Sequence, residues 1–168
     1  MTRKTRIRAA LVTAAAVATT ATVTVGVGMA DQNAKAESAK PTKAQVAALF
    51  DGWNSALQTG DAEKVADLYA RDAVLLPTVS NKVRSDRAGI VDYFQHFLEN
   101  KPVGKKVQTI VNVLDGNSAI DAGVYEFTLT DHETGEKRKV KARYTYEYEK
   151  RGGEWLIVNH HSSAMPEG

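Results

Sequence analysis

The stretch from Lys139 to Glu149 constrains the fold most, because its side chains alternate between two chemical classes. Every second residue is apolar or aromatic: Val140, Ala142, Tyr144, Tyr146 and Tyr148. The residues between them are charged or polar, as at Lys141 and Arg143. Successive side chains of a β-strand point to opposite faces of the sheet. The segment therefore predicts a long strand with one buried aromatic face and one charged face that is either solvated or turned toward a partner.

The same period of two recurs on both sides of this strand. Alternating apolar residues at Val107, Thr109, Val111 and Val113 precede a turn at residues 115–117. Further strands are predicted over residues 118–130 and 155–163, the last one entered through Gly152 and Gly153. In that last strand the alternation predicts one apolar face, made of Leu156, Val158, His160 and Ser162.

Residues 42–102 show helical spacing instead. Thr42 and Gln45 form a capping box before a first helix. A second, shorter helix is predicted from Asp61, with Tyr69 on its apolar stripe. A short strand at residues 72–76 and a third helix from residues 85–86 are predicted after it. Helices followed by hairpins predict one α+β domain, with the helices packed on one face of a curved antiparallel sheet.

The first thirty residues have the pattern of a targeting signal. Four basic residues lie within the first eight positions, and the run at 9–30 carries no charge and ends in Gly-Met-Ala. This pattern predicts a secretory signal peptide cleaved after Ala30, with a membrane anchor as the alternative. We predict that residues 31–41 form a flexible tether and residues 42–168 the domain. The protein is then secreted or held in the cell envelope.

Charge and cysteine content exclude several classes of function. Four of the 22 basic residues and none of the 20 acidic ones lie in residues 1–30, which leaves 18 against 20 and a net charge of −2. A mature chain so close to neutrality has no electrostatic reason to bind nucleic acid or an anionic membrane. The chain has no cysteine, so disulfides and thiolate metal sites are excluded.

Two residues are candidates for chemistry. Asp121 lies in an otherwise apolar strand, either as a base with a raised pKa or as a solvated carboxylate at a strand edge. His160 is either a cavity histidine or one satisfied by a neighbouring backbone group. Neighbouring strand residues point apart, so His160 and His161 cannot share one metal ion, and we predict no metal site. The tyrosines either line a cavity or fill the core.

A set of short segments, in this order, resembles a known family. The segments are Trp53-Asn54-x-Ala56-Leu57, Thr59-Gly60-Asp61, Leu68-Tyr69-Ala70-x-Asp72-Ala73, Tyr93-Phe94 with Lys101-Pro102, and Gly153-x-Trp155-x-Ile157-Val158 through His161-Ser162-Ser163 to Met165-Pro166. They are similar to bacterial relatives of the calcium/calmodulin-dependent protein kinase II association domain. That group lies within the NTF2-like superfamily, also called cystatin-like.

The resemblance implies a cone-shaped α+β domain whose bent sheet wraps a long helix around a pocket. The animal kinase domain pairs its sheets back to back and assembles into rings, so a homodimer or larger ring is expected. Arginines of that pocket are replaced here by Tyr125, Tyr146 and Ser162, which favours a neutral, aromatic or hydroxylated ligand. The expected pocket residues are Trp53, Asp121, Tyr125, Tyr146 and His160. The chain has none of the nucleotide motifs of a kinase, and no cofactor is expected.

Two alternatives to this non-catalytic binding module remain. The superfamily contains ketosteroid isomerases and polyketide cyclases, so the chain is alternatively an enzyme acting on a hydrophobic ketone. Asp121 or His160 would then be the base, since the family's usual base position holds Leu75-Leu76-Pro77. The second alternative is a bare scaffold whose tyrosines leave no cavity.

Overall fold

The computed structural model describes residues 39–166, in which helices precede most of the strands. The helices are α1 (Lys43–Gln58), α2 (Ala62–Ala66) and α3 (Arg87–Leu98). The strands are β1 (Tyr69–Leu76), β2 (Val103–Val113), β3 (Ser118–Thr130), β4 (Lys137–Arg151) and β5 (Glu154–Ala164). The predicted signal peptide (1–30) and most of the predicted tether (31–41) lie outside the described residues. None of the described helices has the length and apolar character needed to cross a bilayer.

Helix α1 begins at the predicted capping box. The Thr42 hydroxyl accepts from the backbone N–H of Gln45 at 3.2 Å, and the Gln45 side chain accepts from the Thr42 backbone N–H at 2.8 Å. The helix ends before Gly60, whose φ of +72° a side chain would disfavour. Its buried face carries Val46, Phe50, Trp53 and Leu57, which pack against the sheet.

The second helix is shorter than its apolar stripe predicts. The Asp61 carboxylate caps it by accepting from the backbone N–H groups of Glu63 and Lys64. The helix ends at Ala66, and Tyr69 starts β1 by pairing with Ile157 of β5. The prediction that Tyr69 lies on a helix is therefore wrong, because strand pairing with a distant segment overrides the local spacing.

The five strands form one curved, open sheet in the order β1-β5-β4-β3-β2. Strands β2 to β5 pair antiparallel, as predicted, but β1 runs parallel to β5. A purely antiparallel sheet was expected, and that expectation is wrong at this edge. The two strands lie far apart in the chain, so no hairpin dictates their relative direction.

Two β-bulges shift the predicted alternation. In β2 the register changes between Lys106 and Gln108, which leaves Val107 about half exposed rather than buried. The facing residue Gly123 permits the close approach, since a Cβ there would lie 1.9 Å from the Gln108 carbonyl oxygen. In β5 the register changes beside Val158. Ile157 is consequently buried in place of the predicted Leu156 and Val158, which are only half-buried.

The two faces of the sheet have different surroundings. The inner face packs on the helices and carries Tyr125, Phe127, Tyr144, Tyr146 and Tyr148, each at most 6% exposed. These rings join Phe50, Trp53 and Phe94 in one core cluster. No element within residues 39–166 covers the outer face, which carries the charged and polar residues of β4.

Candidate functional site

A small cavity lies between the inner face of the sheet, α1 and α3. Its volume is about 50 Å³. Most of its walls are apolar, with Trp53 from α1 and Phe94 and Phe97 from α3. Its polar lining comes from Thr78, Tyr93, Tyr125, His160 and Ser162. The cavity has room for a few water molecules or for one end of a small ligand.

An outer groove of about 410 Å³ adjoins the cavity. Val79, Tyr93 and Phe97 line both spaces, and Val79 is 70% exposed. The rings of Tyr93 and Phe97 stack with their centroids 5.7 Å apart. These three side chains form the boundary through which a molecule in the groove would reach the cavity.

His160 joins the cavity to a chain of buried hydrogen bonds. The Trp53 indole N–H donates to the Tyr69 hydroxyl oxygen at 3.1 Å, and that hydroxyl lies 2.8 Å from His160 Nδ1. Burial lowers the pKa of His160 to about 3, so the imidazole is neutral at physiological pH. Its other nitrogen, Nε2, is buried and has no partner within the described residues.

A second polar group at the cavity wall consists of three hydroxyls. The Tyr125 hydroxyl donates to Ser162 Oγ, which is also hydrogen-bonded to Thr78 Oγ1. Burial raises the pKa of Tyr125 well above its usual value, so this phenol stays protonated. The described residues that line the cavity therefore offer neutral hydrogen-bonding groups and no charged one.

Asp121 is fully buried near the start of β3 and lies outside the cavity. The interpretation of a solvated edge carboxylate is therefore wrong. One carboxylate oxygen accepts from the Tyr144 hydroxyl at 3.0 Å, and the other has no partner within the described residues. Burial raises the pKa of Asp121, against the lowering effect of the Tyr144 hydrogen bond and of the positive charge of Lys106.

Tyr146 separates Asp121 from His160. It pairs with Asp121 on one side and with His160 on the other, so the three residues form one row across the sheet. Two strand spacings are roughly 10 Å, which places the carboxylate and the imidazole too far apart to act on one atom. The Tyr146 ring stacks on His160 with a centroid separation of 4.2 Å and does not line the cavity.

The outer face of the sheet offers a second candidate site. Its centre is apolar, with Ile110 on β2 about half exposed and Ile120, Ala122 and Val124 half-buried on β3. Along β4 the charges on this face are divided. Before Thr145 this face is basic, and after it come two acidic residues and then Arg151, which pairs with the second of them: Lys137, Lys139, Lys141 and Arg143, then Glu147, Glu149 and Arg151. Arg143 and Glu147 form no ion pair within the described residues.

The sequence profile of the calcium/calmodulin dependent protein kinase II association domain matches residues 42–166. The chain belongs to this family. A protein of known structure from Xanthomonas campestris, described as such an association domain, is 60% identical. The match covers 79% of this chain and 96% of that one, with a TM-score of 0.74. No curated protein sequence matches the chain.

More distant structures share the fold of this association domain. An NTF2-like superfamily protein from Salmonella enterica is 15% identical, with a TM-score of 0.64 over 74% of this chain and 92% of that one. A ketosteroid isomerase-like protein from Erwinia carotovora is 16% identical, with a TM-score of 0.61 over 74% of this chain and 97% of that one. At these identities the likeness concerns the NTF2-like fold alone.

The structure brings together only some of the five residues expected to line the pocket of this association domain. Trp53, Tyr125 and His160 line the cavity, whereas Asp121 and Tyr146 are buried beside it. Whether any of the five binds a ligand stays a prediction. His160 is satisfied on one side by a tyrosine hydroxyl rather than by the expected backbone group.

Sequence reasoning missed Tyr69 and Thr78. Tyr69 orients His160, but its helical spacing with Val65 concealed its place at the start of β1. Thr78 follows Pro77 in a polar loop, and nothing in the local pattern indicates that this loop folds back to Ser162 of β5. Within residues 39–166 no three His, Asp or Glu side chains are grouped closely enough to hold a metal ion.

Proposed function

We propose that the mature protein is an exported, non-catalytic association module that forms a homodimer through the outer face of its sheet and holds a small neutral molecule in its cavity. Family membership supports self-association. The uncovered outer face, with its apolar centre and divided charge, is the observation that carries the proposal. The chain has no kinase nucleotide motif, so we expect no kinase activity.

The strand register supports one way of pairing two copies. In this arrangement a two-fold axis lies between the two sheets and runs across the strands along one row of paired residues: Ile110, Ala122, Thr145 and His161. The axis places each β4 antiparallel over the β4 of the second copy. Residues two positions before that row then face residues two positions after it. Arg143 lies opposite Glu147 of the second copy, and the interaction occurs twice.

The neighbouring strands match in the same way. Val124 of β3 lies opposite Ile120 of the second copy, and in β2 Gln108 lies opposite Asn112. Apolar residues thus meet apolar ones, amides meet amides, and opposite charges meet. An axis along β4 would instead place Arg143 against its own copy, where like charges repel.

Charge reversal tests this dimer. We expect Arg143→Glu and Glu147→Arg each to raise the dissociation constant by roughly 100-fold, because each places like charges opposite one another twice. The double variant Arg143→Glu/Glu147→Arg restores both pairs and should restore the dimer. Light scattering after size exclusion, over a concentration series, measures the outcome.

The control is Arg138→Glu. It makes the same charge change on β4, but at a position that belongs to the other face of the strand. It should leave the dimer intact. A strictly monomeric wild type at high micromolar concentration would contradict the dimer itself. A wild-type dimer that the double variant fails to restore would contradict only the proposed register.

Export is a separate part of the proposal and rests on residues 1–30. We expect the protein in the medium or envelope fraction to begin at Asp31, which intact-mass measurement would detect. Recovery of the full-length chain from the cytosol alone would contradict this part.

The geometry gives less support to an enzyme acting on a hydrophobic ketone. Asp121 lies outside the cavity, and Tyr146 separates it from His160. Among the described residues that line the cavity, His160 remains the one candidate base. Burial lowers its pKa to about 3, and a base of this pKa is poorly matched to proton abstraction near neutral pH.

A further inference from the structure

One wall of the cavity is a loop, whereas its other described walls are helices and strands. Pro77, Thr78 and Val79 follow β1 and line the cavity. Every other described lining residue belongs to α1, α3 or one of the strands β1, β3, β4 and β5. Helices and packed strands are held by repeated backbone hydrogen bonds, so the loop is the wall that moves most easily.

This loop is fixed at its two ends. Leu75 and Arg84 exchange two backbone hydrogen bonds, of 2.8 and 2.9 Å, which bring the ends of the loop together. The Arg84 guanidinium also forms an ion pair with Asp92 of α3. These contacts hold the base of the loop on the sheet edge and on α3, and residues 78–83 lie between them.

Residues 78–83 themselves have few contacts with the rest of the protein. Val79 is 70% exposed and Val83 is 53% exposed. Within the described part of the chain, one hydrogen bond joins this segment to another element, and it connects Thr78 Oγ1 with Ser162 Oγ on β5. Moving the segment outward therefore breaks one hydrogen bond and exposes little additional apolar surface.

The cavity behind this segment is small in the closed arrangement that the structure shows. Its volume of about 50 Å³ holds only a few water molecules, whereas the adjoining outer groove has about 410 Å³. Val79 lines both spaces. An outward movement of residues 78–83 would therefore join the cavity to the groove and make room for a larger molecule.

We propose that residues 78–83 form a lid over the cavity, with the Thr78–Ser162 hydrogen bond as its latch and the Leu75–Arg84 pair as its hinge. When the latch breaks, the lid moves outward and the cavity opens into the outer groove. Ser162 keeps the hydrogen bond from Tyr125 in the open state, so its oxygen is not left without a partner. As the entry route of a ligand, the lid rests on the proposed function, but its motion can be measured with no ligand bound.

A disulfide in place of the latch tests the lid. The chain has no cysteine, so Thr78→Cys/Ser162→Cys introduces its only two thiols, at positions whose hydroxyls are hydrogen-bonded to each other. The readout is acrylamide quenching of the fluorescence of Trp53, which lines the cavity and is 2% exposed. Trp155→Phe removes the other tryptophan. We expect the quenching rate constant to be at least about fivefold lower in the oxidised protein than in the reduced one, because the disulfide holds the lid closed.

A second route to Trp53 does not affect this comparison. Trp53 also borders a space between α1 and β5, on the side of Leu49 and Trp155. Quenching through that space is the same in the oxidised and reduced proteins, so the difference between them reports the lid alone.

Thr78→Val tests the latch without a disulfide, since it keeps the shape of the side chain and removes the hydroxyl. It should raise the quenching rate constant of Trp53 by roughly threefold to tenfold over the Trp155→Phe parent, as expected for the loss of one neutral hydrogen bond from the closed state. Thr109→Val is the control. It removes a threonine hydroxyl that lies 3.2 Å from the Tyr144 hydroxyl, outside the cavity, and should leave the quenching unchanged.

The outcomes separate this inference from the proposed function. Equal quenching of the oxidised and reduced proteins, with the disulfide verified by intact mass, overturns the lid, and so does an unchanged rate constant in Thr78→Val. Either result leaves ligand binding and the dimer standing. Failure of ligand binding would not alter these measurements, because acrylamide and not a ligand enters the cavity in them.

Discussion

The inner and outer faces of β3 and β4 are made by the same two strands but have opposite properties. On the inner face, tyrosines pack in a buried aromatic core, and several of their hydroxyls form buried hydrogen bonds. On the outer face, an apolar centre lies between the basic segment of β4 that ends at Arg143 and the acidic residues Glu147 and Glu149, and no element within residues 39–166 covers it. The comparison indicates that substitutions on the inner face act on folding, whereas those on the outer face act on association.

The largest effect is expected at Trp53, the inner-face partner from α1. Trp53 is 2% exposed and contacts the rings of Phe94, Tyr146 and His160. Trp53→Ala should lower the free energy of unfolding by about 3–5 kcal/mol, as large core truncations do. Urea denaturation measures this. The outer-face variant Thr145→Ala should change it by less than about 0.5 kcal/mol, and equal losses would contradict the division between the faces.

Acid should destabilise the protein through the inner face. Burial lowers the pKa of His160 from 6.5 to about 3, so the unfolded chain binds this proton more readily than the folded one. The stability that the neutral imidazole contributes is present above pH 6.5 and is lost as the pH falls. The slope approaches about 1.4 kcal/mol per pH unit below pH 6.5, which gives a loss of roughly 2 kcal/mol between pH 6.5 and 4.5. Denaturation at several pH values should show a flatter dependence in His160→Gln.

Asp121 should contribute a pH dependence of the opposite sign. Burial raises its pKa, so the folded protein holds this proton at pH values where the unfolded chain has released it. Its contribution to stability therefore falls as the pH rises through the raised pKa. Asp121→Asn should remove that fall and make the loss of stability in acid steeper. A variant with the wild-type pH profile would contradict the burial of this carboxylate.

Ala122 on the outer face tests association without charge pairing. In the proposed dimer it lies on the row of the two-fold axis, so Ala122→Arg brings two guanidinium groups together. The dissociation constant should rise by roughly 100-fold, while the free energy of unfolding changes little. Light scattering and urea denaturation report the two quantities separately. A comparable loss in both would contradict the assignment of this position to association alone.

The smallest effect is expected from Tyr146→Phe. The Tyr146 hydroxyl is buried without a partner in the described residues, whereas its ring packs on all sides. Removing the oxygen should raise the free energy of unfolding by about 1 kcal/mol, because the folded protein then no longer buries a hydroxyl that lacks a hydrogen bond. A clear destabilisation would indicate that a bound water or ligand satisfies this hydroxyl.

Much of the fold follows from the sequence, because local patterns determine it. The alternation predicts β3 with its observed bounds, Ser118–Thr130, and the tyrosine face of β4. The capping box predicts the start of α1. The β-bulges beside Val107 and Val158 follow from strand pairing over long distances, so the alternation alone misplaces the residues next to them.

The site was less predictable because distant segments build it. His160 and Tyr125 could be placed on an inner face by their parity, and both line the cavity. Asp121 lies on the same face of β3 as Tyr125 but outside the cavity. The alternation assigns a residue to a face of the strand and does not say where along that face a cavity lies. The partners Tyr69 and Thr78 come from segments whose positions depend on the parallel pairing of β1 and on the loop after it.

Mixing the two charge-reversed variants tests the association through the outer face most directly. Arg143→Glu presents only acidic groups at these two positions and Glu147→Arg only basic ones, so each should remain largely monomeric by itself. In an equimolar mixture every acidic group faces a basic one, and sedimentation equilibrium should show a heterodimer about as stable as the wild-type dimer. A mixture that stays monomeric, or variants that each dimerise like the wild type, would contradict pairing through this face.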